Sequence, residues 1–176
     1  TRTSSSAASD VYKRQGYVRY NVFYHPFFAI KFTFPKGWDL DNLPDRLIIR
    51  NNNSEVTIIS DNLLRDDIDN GLTPKDYLDQ NIDKTSFLAR NTLIEQKNIN
   101  KNIPAYTYLY ETKSLADKSF TRYTVFFDID DKIQKPKAWI FIKKFKEMND
   151  DNQLNVIDKT FTKMTKDEIA KAKGLR

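Results

Sequence analysis

One histidine and two runs of aspartate are the residues of this chain best suited by type to acid–base or metal chemistry. An imidazole titrates at about pH 6.5, so His25 is the side chain fitted to carry a proton near neutrality. It precedes Pro26 at the edge of an extended run, where a structural or solvent-exposed role is the competing reading. Asp128, Asp130 and Asp131 offer the oxygen ligands that calcium or magnesium prefers. They lack the central glycine and closing glutamate of a calcium loop, so a solvated hairpin end is expected; Asp66, Asp67 and Asp69 are read the same way. The chain has no cysteine, hence no disulfide, thiolate ligand or cysteine nucleophile. No serine stands in a Gly-x-Ser-x-Gly elbow, and Gly16, Gly37, Gly71 and Gly174 are too dispersed to cradle a phosphate. The expectation is no catalytic residue, no metal site and no cofactor. The alternative is a hydrolase or metal-dependent enzyme that gathers carboxylates from separate loops, around Asp128, Asp130 or His25.

A second kind of chemistry is recognition by aromatic side chains. Tyr106, Tyr108 and Tyr110 alternate with Thr107 and Leu109, so they share one face of a strand. Tyr123 falls on the neighbouring expected strand, beside Arg122. Such rings join apolar area to a hydroxyl and are favoured where a protein or small ligand is bound. The same pattern also describes a cross-strand ladder covered by a helix. Tyr106, Tyr108, Tyr110, Arg122 and Tyr123 are therefore candidate binding residues.

These side chains must be positioned by strands. Phe27 to Trp38 reads FFAIKFTFPKGW: Phe28, Ile30, Phe32 and Phe34 share a face, and Pro35-Lys36-Gly37 is a turn. Tyr17 to Tyr24 is a first strand or an extended lead-in. Leu47–Ile49 and Val56–Ile59 flank Asn51 to Ser54 as a hairpin, whose asparagines tolerate left-handed backbone. Leu93 to Asn98 pairs with Ile103 to Glu111, and Phe120 to Ile129 with Ala138 to Phe145. Ile140 and Ile142 oppose Trp139 and Phe141, the mark of a central strand covered on both sides. Two segments switch to helical period. Thr73 caps the first, with Pro74 at its first position, Asp76 three residues after the cap, and the helix running to Lys84 or Thr85. In the second, Leu154, Ile157, Phe161 and Met164 form an apolar stripe, with Asp150 or Asp151 as cap. The fold class is α+β: one antiparallel twisted sheet of about five to seven strands packed with helices, one of them C-terminal. Phe32, Phe34, Trp38, Ile140 and Phe161 are expected in the core.

Residues 16–164 are expected to form a single domain, with 165–176 a charged tail that frays. Residues 1–15, TRTSSSAASDVYKRQ, lack periodicity and are expected to be disordered; the latter part looks like translated sequencing adapter. The true start would then be missing, and a lost signal peptide or lipoprotein anchor would be invisible in this sequence. Basic and acidic residues, 29 against 24, are interspersed, unlike the one-sided footprint of a nucleic-acid binder. No apolar run reaches the roughly 18 residues of a membrane span.

The order of these elements, with the FxFPxGW stretch from Phe28 to Trp38 and the ending Val156-Ile157-Asp158-Lys159-Thr160-Phe161, resembles the PsbP-like superfamily. That group includes the photosystem accessory protein PsbP, the Ran-binding Mog nuclear-import protein and DcrB-type bacterial lipoproteins. The resemblance covers Phe23 to Met164. It implies a non-catalytic accessory or binding domain with a protein or small-ligand partner, and carries over no catalytic residue. It also implies an exported or membrane-anchored setting, with a cytoplasmic one as the alternative.

Overall fold

The computed structural model describes residues 16–82, 87–100, 103–112, 119–129 and 135–174; the expectations for residues 1–15, for Lys84 and Thr85, and for Asp130 and Asp131 lie outside them. Among the described residues eleven strands form two antiparallel sheets. The larger holds β4 (Asp39–Asn42), β5 (Leu47–Arg50), β6 (Glu55–Asn62), β7 (Phe87–Ile99), β8 (Ile103–Thr112), β9 (Phe120–Asp128) and β10 (Lys137–Phe145). Their order is β4-β5-β6-β10-β9-β8-β7. The smaller holds β1 (Tyr17–Arg19), β2 (Val22–His25), β3 (Ile30–Thr33) and β11 (Thr162–Lys163), in the order β1-β2-β3-β11. Among the described residues there are also four helices: α1 (Arg65–Asp69), α2 (Pro74–Asn81), α3 (Met148–Thr160) and α4 (Lys166–Gly174). The α+β class is as expected, with the second sheet an addition to it.

The topology follows from where the hairpins break. β4, β5 and β6 run in sequence, and then α1 and α2 carry the chain across one face of the sheet to its far edge. β7, β8, β9 and β10 return strand by strand until β10 docks on β6, with Ile140 opposite Ile59 and Ile142 opposite Thr57. Turn chemistry sets these reversals. Tyr20 and Asn21, both at positive φ, form a two-residue turn between β1 and β2, so Tyr17 to Tyr24 is a hairpin. Between β5 and β6 no residue turns left-handed. Instead the Asn51 side-chain oxygen accepts from the Asn53 and Ser54 amides, both at 2.8 Å.

The main core lies between the large sheet and the layer made by α3 and the small sheet. Phe161, immediately after α3, is its hub, with ring centroids 5.2 Å from Phe126 and 5.3 Å from both Trp139 and Phe141. Phe32 stacks on it from β3. Phe32, Phe34 and Phe161 are buried as expected, whereas Trp38 and Ile140 are only half-buried. Trp38 follows the exposed Lys36-Gly37 turn and packs on the margin of the core beside the edge strand β4. The cause at Ile140 is the reach of α2, described below.

Two further corrections concern helix ends. Neither Asp150 nor Asp151 caps α3: the cap position is Glu147, and Asp151 sits in the first turn, buried. Residues 166–174 form a helix where a frayed tail was expected. Its start is held by reciprocal bonds between Thr165 and Glu168, and Glu168 also pairs with Lys31 of β3.

Candidate binding groove

The tyrosine row lies on the face of the large sheet opposite α3, with Tyr106 opposite Val125 and Tyr108 opposite Tyr123. α2 stands over β8 and β9 and covers it. Thr73 and Asp76 close the expected capping box at the start of that helix, and the Thr73 bonds hold the Asp76 carboxyl below its ordinary range. Tyr106, Tyr108 and Tyr110 are buried there as a ladder of edge-to-face rings, 5.3 and 5.8 Å between successive centroids. Burial pushes the Tyr110 hydroxyl up to about 12 and raises that of Tyr108 further, helped by its hydrogen bond to Asp79. Tyr123 is half-buried and is the one of the four that lines the groove described below. Arg122 points to the other face. Its guanidinium grips the Asp151 carboxylate of α3 at 2.9 and 3.2 Å, so it does not accompany the tyrosines.

Two tyrosine–aspartate bonds fasten α2 to the sheet. On one flank Asp79 accepts from the Tyr108 hydroxyl of β8. On the other, the Tyr77 hydroxyl reaches across to β6 and donates to Asp61 at 2.6 Å. Burial, followed by that bond, raises the Tyr77 hydroxyl well above the ordinary phenol range. Leu78, between them, is buried against the sheet. A helix is about 10 Å wide with its side chains, which spans only about two strands at roughly 4.8 Å spacing. β10 and β6 therefore emerge from under α2.

What emerges is apolar. Ile140 and Ile142 of β10, with Ile59 of β6, are half-buried and floor a groove of about 280 Å³ beside α2. Val125 and Tyr123 continue the floor beneath the helix, and Leu78 of α2 with Ile82 just after it forms the wall. Polar groups stand only at the margin: Ser60, Asp61, Tyr77 and Asn81. The arrangement can enclose a small apolar body and offer it a few hydrogen-bonding groups along one rim. The sequence marked Tyr123 but missed the isoleucines, Asp61 and Tyr77. The available signal was Ile140-x-Ile142, apolar residues on a face for which the sequence supplies only one short helix.

The other chemistry-bearing residues are dispersed. His25 is buried against Phe23 and Phe28 and accepts weakly from the Phe28 amide at 3.4 Å. Asp128 pairs with Lys163 at 2.7 Å, and Asp66 and Asp67 lie in the first turn of α1. Among the described residues no group of three or more His, Cys, Asp or Glu side chains is placed to hold a metal ion. No helix among them is long and apolar enough to cross a membrane.

No protein-family description matches the sequence, and no curated protein matches it. Among solved structures the fold is similar to that of a protein from Bacteroides thetaiotaomicron VPI-5482, with a TM-score of 0.59 and 9% identity. The match takes in 84% of this chain but 50% of that one, so this chain spans half the length of the Bacteroides protein. It is also similar to LpqN, a protein involved in cell envelope biogenesis of Mycobacterium tuberculosis, with a TM-score of 0.54 and 11% identity over 77% of this chain and 83% of LpqN. What is shared at such identities is the fold alone, an α+β architecture with an antiparallel sheet packed against helices.

Proposed function

We propose that this chain is a non-catalytic binding domain that takes a small, largely apolar ligand in the groove beside α2. The observation that carries the reading is the half-buried floor of Ile59, Ile140 and Ile142, apolar surface that the described residues leave uncovered next to a polar rim. Its volume of about 280 Å³ is near the lower end of small-molecule sites, roughly 300–1,000 Å³. That size suits a compact ligand and is small for a dinucleotide or haem. The tyrosine row serves the site from beneath: Tyr106, Tyr108 and Tyr110 seat α2, and Tyr123 alone of that row is a contact residue. A PsbP-like accessory role is consistent with this reading. The likeness of fold to LpqN motivates an exported or envelope-associated setting.

The test is a screen of small soluble amphiphiles against protein carrying labelled isoleucine methyls. Binders are expected to shift Ile59, Ile140 and Ile142, to leave buried Ile30 and Ile49 unmoved, and to be recovered chemically unchanged. Ile142→Trp, which fills the groove from a half-buried position, should remove those shifts while leaving the unfolding midpoint near that of the parent. Reproducible turnover of a bound compound, abolished by one carboxylate substitution, would overturn the non-catalytic assignment.

A further inference from the structure

The rim of the groove carries a charge that no described residue around it neutralises. Asp61 is exposed at one end of the floor, and its Oδ2 accepts from the Tyr77 hydroxyl at 2.6 Å. That neutral donor leaves the carboxylate's charge in place. Among the described residues no Lys or Arg forms an ion pair with Asp61, while Asp79 on the far flank of α2 is already matched by Lys75 at 2.9 Å. The rest of the lining adds no basic side chain: Ser60 and Asn81 are neutral, and the remaining residues are aliphatic or tyrosine.

Register sets the geometry of a ligand that would use this charge. Asp61 stands opposite Ala138, Ile59 opposite Ile140, and Thr57 opposite Ile142. Successive rungs on one face are two residues apart, roughly 7 Å. The carboxylate thus lies about one rung from the nearest floor isoleucines and about two from Ile142. A group bound at Asp61 can extend an unbranched apolar body along β10 without leaving the groove.

Resting on the reading of the groove as a binding site, we propose that its ligands are primary alkylamines: an ammonium head at Asp61 with its aliphatic chain over Ile59, Ile140 and Ile142. The ammonium supplies the missing positive charge and donates to the carboxylate oxygens that Tyr77 leaves available. Tyr77 holds the carboxylate in place for it. Carboxylate-headed amphiphiles of the same length meet a like charge at the same point.

The experiment titrates hexylamine, 1-hexanol and hexanoate into the full chain, reading the methyl shifts of Ile59, Ile140 and Ile142. Since Asp61 is exposed, the charge preference is modest: hexylamine is expected to bind about fivefold more tightly than 1-hexanol, and hexanoate more weakly than either. Asp61→Asn keeps an acceptor for Tyr77 and is expected to erase the amine's advantage over 1-hexanol. Equal binding of amine and alcohol to the parent protein, or an amine preference that survives Asp61→Asn, overturns the assignment of the head group and leaves the groove standing. Absence of shifts at these methyls with all three compounds overturns the groove itself.

Discussion

Phe161 and Trp38 have the same apparent credentials as aromatic core residues, and the structure separates them. Phe161 is buried among four other aromatic rings, whereas Trp38 lies half-exposed at the core margin. Phe161→Ala is expected to cost about 3–5 kcal/mol in urea unfolding, and Trp38→Ala about 1–2 kcal/mol, since less of the ring leaves water on folding. A reversed ranking would place the hub elsewhere. The buried tyrosines predict a pH response. Burial raises the Tyr77, Tyr108 and Tyr110 hydroxyls, Tyr110 to about 12, so the folded state keeps protons that the unfolded chain releases from about pH 10. Their contribution is whole below that pH and is lost as pH rises toward the folded-state values. The urea midpoint should accordingly fall on the alkaline side, and combining Tyr108→Phe with Tyr110→Phe should flatten the decline. A midpoint that stays level in the parent protein across that window would mean these hydroxyls are open to solvent.

At the scale of elements, α3 is joined to the sheet by charge as well as by Leu154 and Ile157. Arg122 of β9 and Lys143 of β10 are cross-strand neighbours, and each meets an aspartate of α3: Asp151 at 2.9 Å, and Asp158 at 2.8 Å. The two aspartates are roughly two helical turns apart, so they share the face that lies on the sheet. All four side chains are buried. Such pairs cost desolvation to form and are weak evidence of stability, but breaking one strands the other charge. Lys143→Met should lower stability by about 3–5 kcal/mol, and adding Asp158→Leu should restore most of the loss. Urea unfolding of the single and double variants decides between this and a pair that is individually strong, for which the second substitution would not help. The pairs also orient α3: rotating the helix would move both aspartates off their partners together.

For the whole molecule, the two faces of the large sheet are covered unequally. One carries α3 and the small sheet, and the other carries the short α2 and leaves the groove. The small sheet depends on the end of the chain, because β11 pairs with β3 and the Met164 amide donates to Ala29 at 2.7 Å. α4 adds little burial, with Ala172 its one buried residue, and a partly exposed ion pair from Glu168 to Lys31. A chain stopped after Met164 should fold with a loss of about 1 kcal/mol. Stopping after Thr160 removes Phe161 and β11 together and should abolish cooperative unfolding. Near-equal midpoints for these two truncations would show that the terminal strand is not needed to close the core.

Local patterns in the chain determined the α+β class, the hairpin pairs from β5 to β10, the capped start of α2 and the apolar stripe of α3. Each rests on residues within a few positions of one another: alternation for strands, 3.6-residue spacing for helices, Thr73 with Asp76 for the cap. The same capping pattern stands at Thr165 and Glu168, but the charged, apolar-poor run after it reads as a tail until Lys31 and the β3 edge are set beside it. The pairing of β1 with β2 was legible in principle at Tyr20-Asn21, yet tyrosine is an uncommon residue at positive φ. Tertiary structure alone decided the rest. Neighbouring Arg122 and Tyr123 parted to opposite faces, the tyrosine row passed beneath α2, and Asp61, Tyr77, Ile59 and Ile140 came together from separate segments. The physical reason is coverage. Alternation assigns a side chain to one of two faces, but whether that face meets a helix, a second sheet or solvent depends on how far the packed elements extend.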